Sequence, residues 1–94
     1  MALKFEWDKR KATSNKRKHG VSFEEASTVF SDFLTLTIPD PLHSENEERF
    51  VTIGRSAKQR TLVVAHIERG DIIRIISARV ASAHERQTYE EGNG

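Results

Sequence analysis

The sequence predicts an α+β domain with a mostly antiparallel sheet, and three observations carry that expectation. Ile72-Ile73-Arg74-Ile75-Ile76-Ser77-Ala78-Arg79 is the most apolar, β-branched run in the chain and reads as a central strand. Shorter alternating runs mark further strands before it, with Arg69-Gly70 as a tight turn into it. Capping boxes at Ser22-Phe23-Glu24-Glu25 and Ser82-Ala83-His84-Glu85 mark helix starts. The 94 residues suffice for one hydrophobic core, so residues 1–94 are read as a single small domain.

In chain order, Leu3-Lys4-Phe5-Glu6-Trp7 alternates and predicts a short first strand with Leu3, Phe5 and Trp7 inward. Asp8 then caps a helix that runs to His19 and stops at Gly20, with Trp7 and Ala12 placed as a hydrophobic staple. Lys11, Asn15 and Lys18 share one stripe of that helix and present two cations and an amide together. Ser22 opens a second helix whose Phe23, Ala26, Val29 and Phe30 form an apolar stripe ending near Ser31. Leu34-Thr35-Leu36-Thr37-Ile38 predicts a second strand, ended by Pro39. The polar stretch from Pro39 to Glu48 reads as a surface loop; its His43, Glu45, Glu47 and Glu48 lack a ligand spacing, so no metal site is assigned. Arg49 to Arg55, Thr61 to Ile67 and the run from Asp71 then form an antiparallel meander, joined first by the basic segment Ser56 to Arg60. His66 stands within the fourth strand, and a terminal helix carries Arg86 and Tyr89. The sequence order is therefore strand, two helices, four strands, helix.

Composition narrows the function classes. Without cysteine there is neither a disulfide framework nor a thiolate zinc site, and an intracellular, cytoplasmic protein is expected. No apolar run is long enough to span a membrane, and no signal-peptide core precedes the first strand. The formal net charge of +1 conceals three blocks: +5 over residues 1–20, −7 over 21–48 and +3 over 49–94. Two basic blocks around an acidic one either fold into a cationic and an anionic face, which suits a phosphate-rich ligand, or mix into a solvated surface of internal ion pairs.

The arginines of the central run sharpen that choice. Under uninterrupted alternation Ile72, Arg74, Ile76 and Ala78 point to one side, and Ile73, Ile75, Ser77 and Arg79 to the other. A guanidinium on a buried strand must reach a carboxylate, a sheet edge, solvent or an anionic ligand. Both a structural Arg–Glu pair and a ligand site satisfy that demand.

Taken together, these residues resemble the BrnT family, the toxins of bacterial type II toxin–antitoxin pairs. The resemblance rests on Phe5-Glu6-Trp7-Asp8 with Lys11-Ala12 and Asn15, and on Lys18-His19-Gly20-Val21-Ser22-Phe23-Glu24-Glu25-Ala26 with Val29-Phe30. It continues through Asp40, His43, Glu48-Arg49, Gly54-Arg55-Ser56, Arg60, Leu62, Val64, Arg69, Arg74-Ile75-Ile76-Ser77-Ala78-Arg79, Glu85-Arg86 and Tyr89. It spans nearly the whole chain, although no single motif in it is specific. His84 departs mildly from the basic residue the pattern leads one to expect. What the resemblance implies is a compact RelE-like ribonuclease that binds RNA without a cofactor. It also implies neutralisation in a complex with a BrnA-like antitoxin, whose DNA-binding part alone contacts operator DNA.

Metal-free RNA cleavage uses the neighbouring 2′-hydroxyl as nucleophile. The protein must take up its proton, protonate the leaving oxygen and stabilise added negative charge on phosphorus. Cations directed at the phosphate supply the electrostatic part, and histidine or a shifted tyrosine or lysine the proton transfers. The catalytic candidates are His19, Arg49, Arg60, Arg79 and Tyr89; Lys11, Lys18 and Arg74 are candidates for holding RNA. Within that set Arg60 and Arg79 are assigned to the phosphate and His19 or Tyr89 to the protons, while Arg49 either joins them or pairs with Glu48 or Glu85. The competing class is a non-catalytic module that binds nucleic acid or protein through the same basic face.

Overall fold

Local signals fix most element boundaries. In the computed structural model, which describes residues 3–41 and 47–92, β1 (Lys4–Glu6) leads into α1 (Lys9–His19). The Asp8 carboxylate accepts from the backbone N–H groups of Arg10 and Lys11 at 2.8 and 3.1 Å, satisfying two of the free donors at the start of α1. Gly20 closes the helix in the left-handed region, φ 70°, where a side chain is disfavoured. Ser22 accepts from the Glu25 N–H at 3.0 Å to open α2 (Phe23–Thr28), which tightens into a 3₁₀ turn over Val29–Ser31. β2 (Leu36–Pro39), β3 (Arg49–Arg55), β4 (Thr61–Arg69), β5 (Ile72–Val80) and α3 (Ala83–Gly92) complete the chain. His43 and Glu45, weighed above as ligands, lie outside the described residues.

The five strands form one sheet in the order β1-β5-β4-β3-β2. Strands β2 to β5 pair antiparallel, as the meander predicts, while β1 adds to the edge of β5 in parallel, Phe5 opposite Ile73. α1 and α2 cover one face, where Val21, Phe23, Ala26 and Val29 pack on Leu62, Val64, Ile73, Ile75 and Ala78, flanked by Phe5, Trp7, Ala12 and Phe30. Fully burying a side chain such as Phe23 contributes about 2–3 kcal/mol, so this layer holds the domain together. α3 covers one end of the opposite face, with Tyr89 against Ile53 and Val63. Gly54 permits the close approach of the 3₁₀ turn, since a Cβ there would stand 2.7 Å from side-chain carbons of Val29 and Thr35.

Three sequence expectations are corrected. Leu3 precedes β1 and is 45% exposed instead of inward, because β1 is only three residues long. Asn15 does not join Lys11 and Lys18 at the surface; it is buried and ties α1 to β5. Its Nδ2 donates to the Val21 and Ala78 carbonyls at 3.0 and 2.8 Å, and its Oδ1 accepts from the Ala78 N–H at 3.1 Å. The third correction concerns the central strand, whose alternation breaks once. Ala65 pairs with Ser77 but His66 with Ile75, which leaves Ile76 as the extra residue of a β-bulge. Ala78 consequently joins Ile73 and Ile75 beneath the helices. Ser77 and Arg79 join Arg74 on the other face.

Candidate functional site

The bulge decides which cations share a surface. Val63, Ala65 and Ile67 alternate along β4 toward the α3 side, and Arg79 lies opposite Val63 while Arg74 lies opposite Ile67. Arg49 lies opposite Ile67 from β3, so one row across the sheet reads Arg49, Ile67, Arg74, Glu6. Arg49 and Arg74 are two strand spacings apart, roughly 10 Å, and Arg79 stands about 15 Å further along β5 from Arg74. Three candidate arginines thus rise from the sheet face that α1 and α2 leave uncovered. α3 bounds this surface at the Arg79 end.

Each guanidinium on this surface whose partner is resolved is held by a carboxylate. Arg74 Nη1 meets Glu6 Oε2 at 2.8 Å across the β1–β5 pair. Arg79 grips Glu85 with both Nη atoms, at 2.7 and 2.8 Å. Glu85 also completes the capping box of α3: Oε1 accepts from the Ser82 N–H at 2.8 Å, and the Glu85 N–H donates to Ser82 Oγ at 3.2 Å. The Arg79 fork first, and then the Ser82 bonds, push the Glu85 carboxyl down to about 2 against the cost of burial. These pairs are partly solvated, so each is worth about 1 kcal/mol or less to stability and mainly fixes where the guanidinium points.

The remaining candidates separate. Arg60, from the turn before β4, bridges to the helix side: Nε donates to Glu25 Oε2 at 2.9 Å and Nη2 to the Gly20 carbonyl at 3.1 Å. Ser56 Oγ donates to the same Glu25 oxygen at 2.7 Å, so the Glu25 carboxylate joins α2 to the β3–β4 turn. The Arg60 bond leads in holding Glu25 below the usual carboxylate range, with Ser56 assisting against the cost of burial. His19 is exposed at the end of α1, one residue from the Gly20 carbonyl that Arg60 holds, and Lys11 and Lys18 are exposed on the same helix. Tyr89 is buried, and its hydroxyl donates to Asp32 Oδ2 at 2.6 Å. Burial first, and then that bond, push its phenol up to about 12. Arg79 on one side and Arg60 with the neighbouring His19 on the other therefore occupy the same end of the sheet on opposite faces, and Tyr89 is buried between α3 and the sheet.

His66, left open by the sequence, is fully buried. Its Nε2 lies 2.7 Å from Thr52 Oγ1, which in turn lies 2.8 Å from Thr37 Oγ1, a polar chain across β4, β3 and β2. Phe30 meets the ring edge-on and Phe50 stacks on it. Nδ1 makes no hydrogen bond among the described residues, and the Glu68 carboxylate stands 3.5 Å away. Desolvation pulls the imidazole down to about 4, so it is neutral at pH 7. Below its ordinary value of 6.5 the unfolded chain binds a proton that the folded chain refuses. Stability should thus fall by up to about 3 kcal/mol as pH drops from 6.5 to 4. Urea midpoints across that range should decline in the parent and stay flatter in a folded His66→Gln variant. Equal declines would remove His66 from the account. The Arg79–Glu85 pair titrates lower, its contribution being lost between 4.5 and about 2.

One cleft lies beside the candidate residues without including Arg79 or His19. Arg55, Gln59, Arg60, Thr61, Val80, Ala81 and Arg86 line about 280 Å³ at the end of the sheet, immediately after Arg79. Arg55 and Arg86 belong to the motifs that carry the resemblance and Gln59 does not, but only the β3–β4 turn and α3 bring the three together, which no local pattern in the sequence records.

Comparison with known proteins agrees with this architecture. No curated protein matches the sequence. The crystal structure of the Brucella abortus ribonuclease toxin BrnT is similar at a TM-score of 0.67 and 29% identity, covering 86% of this chain and 99% of that one. Residues 7–85 match the family described as the ribonuclease toxin, BrnT, of type II toxin–antitoxin systems. With the family's pattern running from Trp7 through the bulged strand to the Glu85 that grips Arg79, the chain belongs to the BrnT family of type II ribonuclease toxins.

Proposed function

We propose that this chain is an endoribonuclease that cleaves RNA without a metal ion, thereby inhibiting translation, with its active surface at the Arg79 end of the sheet. The observation that carries the proposal is the Ile76 bulge, which turns Arg74 and Arg79 to the same face as Arg49. A phosphate arriving there meets the Arg79 guanidinium already oriented by Glu85 and competes with that carboxylate for its fork of donors, while Glu6 orients Arg74 further along β5. Arg79 stabilises the charge that develops on phosphorus, while Arg49 and Arg74 extend the cationic track. Arg60 and His19 lie at the same end on the helix side of the sheet, on the face opposite Arg79, and His19 transfers protons only to a strand that wraps the sheet edge. Tyr89 serves as an alternative proton donor only after its hydroxyl leaves Asp32. Lys11 and Lys18 hold backbone phosphates along α1.

The family membership supports the rest of the reading: a RelE-like fold, a cytoplasmic site of action, and a BrnA-like antitoxin that forms the complex and alone contacts operator DNA. One observation favours the second reading, a non-catalytic module binding nucleic acid or protein: Arg60, Arg74 and Arg79 are each engaged by a carboxylate and meet structural needs without a substrate. Expression in bacteria discriminates the two. Growth arrest with shortened cellular RNA, relieved by a co-expressed antitoxin, is expected; arrest without RNA cleavage would favour the binding module.

A further inference from the structure

We propose that the cleft between the β3–β4 turn and α3 is a second phosphate subsite, in which Arg86, Arg55 and the Gln59 amide hold a neighbouring phosphate of the RNA strand whose scissile group lies at Arg79. The inference rests on the ribonuclease reading for the identity of the strand, and on separate geometry for the site.

Three guanidinium-bearing residues converge on the cleft, yet only Arg60 is fully committed within the fold, to Glu25 and Gly20. Arg55 has its Glu90 contact at 3.8 Å, too long for a hydrogen bond, and both side chains are well exposed. Among the described residues Arg86 pairs with no carboxylate, and its backbone N–H is spent on the Ser82 carbonyl within the helix. Arg86 faces the cleft without a carboxylate among the described residues, and Arg55, beside Asp32, holds Glu90 only loosely at 3.8 Å, so a phosphate between the two guanidiniums can recruit both while accepting several hydrogen bonds.

Gln59 is the independent observation. It is the one non-glycine residue with positive φ among the described residues, at 65°, in the turn where Ser56 N–H donates to the Arg60 carbonyl and Gln59 N–H to the Ser56 carbonyl. Glycine would occupy that conformation at lower cost. The turn instead keeps a side chain with both a donor and an acceptor, and that side chain lines the cleft. Position supplies the link to chemistry: Val80 and Ala81 follow Arg79 directly and form the cleft wall, and Glu85, which grips Arg79, precedes Arg86. A strand rounding this end of the sheet passes from Arg79 through the cleft toward Arg60 and His19.

The test measures binding of a short labelled RNA across a salt series, alongside its cleavage. Arg86→Gln should weaken binding about 5- to 10-fold and lower the slope of log K against log salt by about 0.7, the value for one lost contact to single-stranded nucleic acid. Cleavage at saturating RNA should stay near the parent rate, so that KM changes and kcat does not. Arg86→Lys should restore the slope, and Gln59→Gly should weaken binding without reducing thermal stability. An unchanged slope in folded Arg86→Gln, with cleavage intact, overturns the subsite and leaves the ribonuclease reading standing. A reduced slope in a chain that cleaves no RNA keeps the subsite and overturns that reading. A parent chain that binds no RNA overturns both.

Discussion

Reversing the charge at Arg79 is expected to lower RNA cleavage on the order of 100- to 1,000-fold, the size expected when a preorganised donor to a developing oxyanion is lost. The side chain stands at the end of β5, oriented by a two-bonded fork to Glu85, so Arg79→Glu replaces an aimed cation with a carboxylate facing another carboxylate. That like-charge contact also loosens the start of α3, because Glu85 caps Ser82. Arg79→Gln separates the two effects: it removes the charge, leaves Glu85 its Ser82 bonds, and should cost about 1 kcal/mol or less of stability since the pair is partly solvated. Single-turnover cleavage by folded Arg79→Gln at the parent rate would exclude Arg79 from the chemistry.

The largest expected effect on stability belongs to Asn15→Ala. The amide fills three hydrogen-bonding roles in a buried setting, to the Val21 carbonyl and to both backbone groups of Ala78. Truncation leaves those three backbone groups without their partner, and a buried polar group left unsatisfied costs about 1–3 kcal/mol. A total loss of about 3 kcal/mol or more is therefore expected, even though only a small side chain is removed. Urea unfolding monitored by Trp7 fluorescence measures it. A loss below about 1 kcal/mol would mean that water replaces the amide and that the α1–β5 junction is not dry.

Asn15 also shows where a sequence stops being informative. Its polarity and its helical spacing from Lys11 and Lys18 place it at the surface, whereas its partner Ala78 is 63 residues away and visible only after folding. The Ile76 bulge is of the same kind. Alternation gives the correct strand but puts Arg74 and Arg79 on opposite faces, because one extra residue among isoleucines leaves no mark in an apolar pattern. Signals confined to a few neighbouring residues were legible: Asp8 and Ser22 cap their helices, Gly20 ends one, and Ser82 with Glu85 forms a reciprocal box. The Glu25 half of the other box was misdirected by a tertiary partner, Arg60, 35 residues on. The candidate arginines were readable as residues, but their grouping was not. Glu6 and Glu85 select their orientation, and the β3–β4 turn sets Arg60 apart from Arg49, Arg74 and Arg79.

Cleavage of labelled RNA in EDTA by the purified chain and by folded Arg74→Ala, Arg79→Ala and doubly substituted variants tests the shared arginine face most directly. The account predicts cleavage by the parent despite chelation, a partial loss in Arg74→Ala, a severe loss in Arg79→Ala and no detectable cleavage in the double variant. Undiminished cleavage by the folded double variant, or parent activity that disappears with chelation, would contradict it.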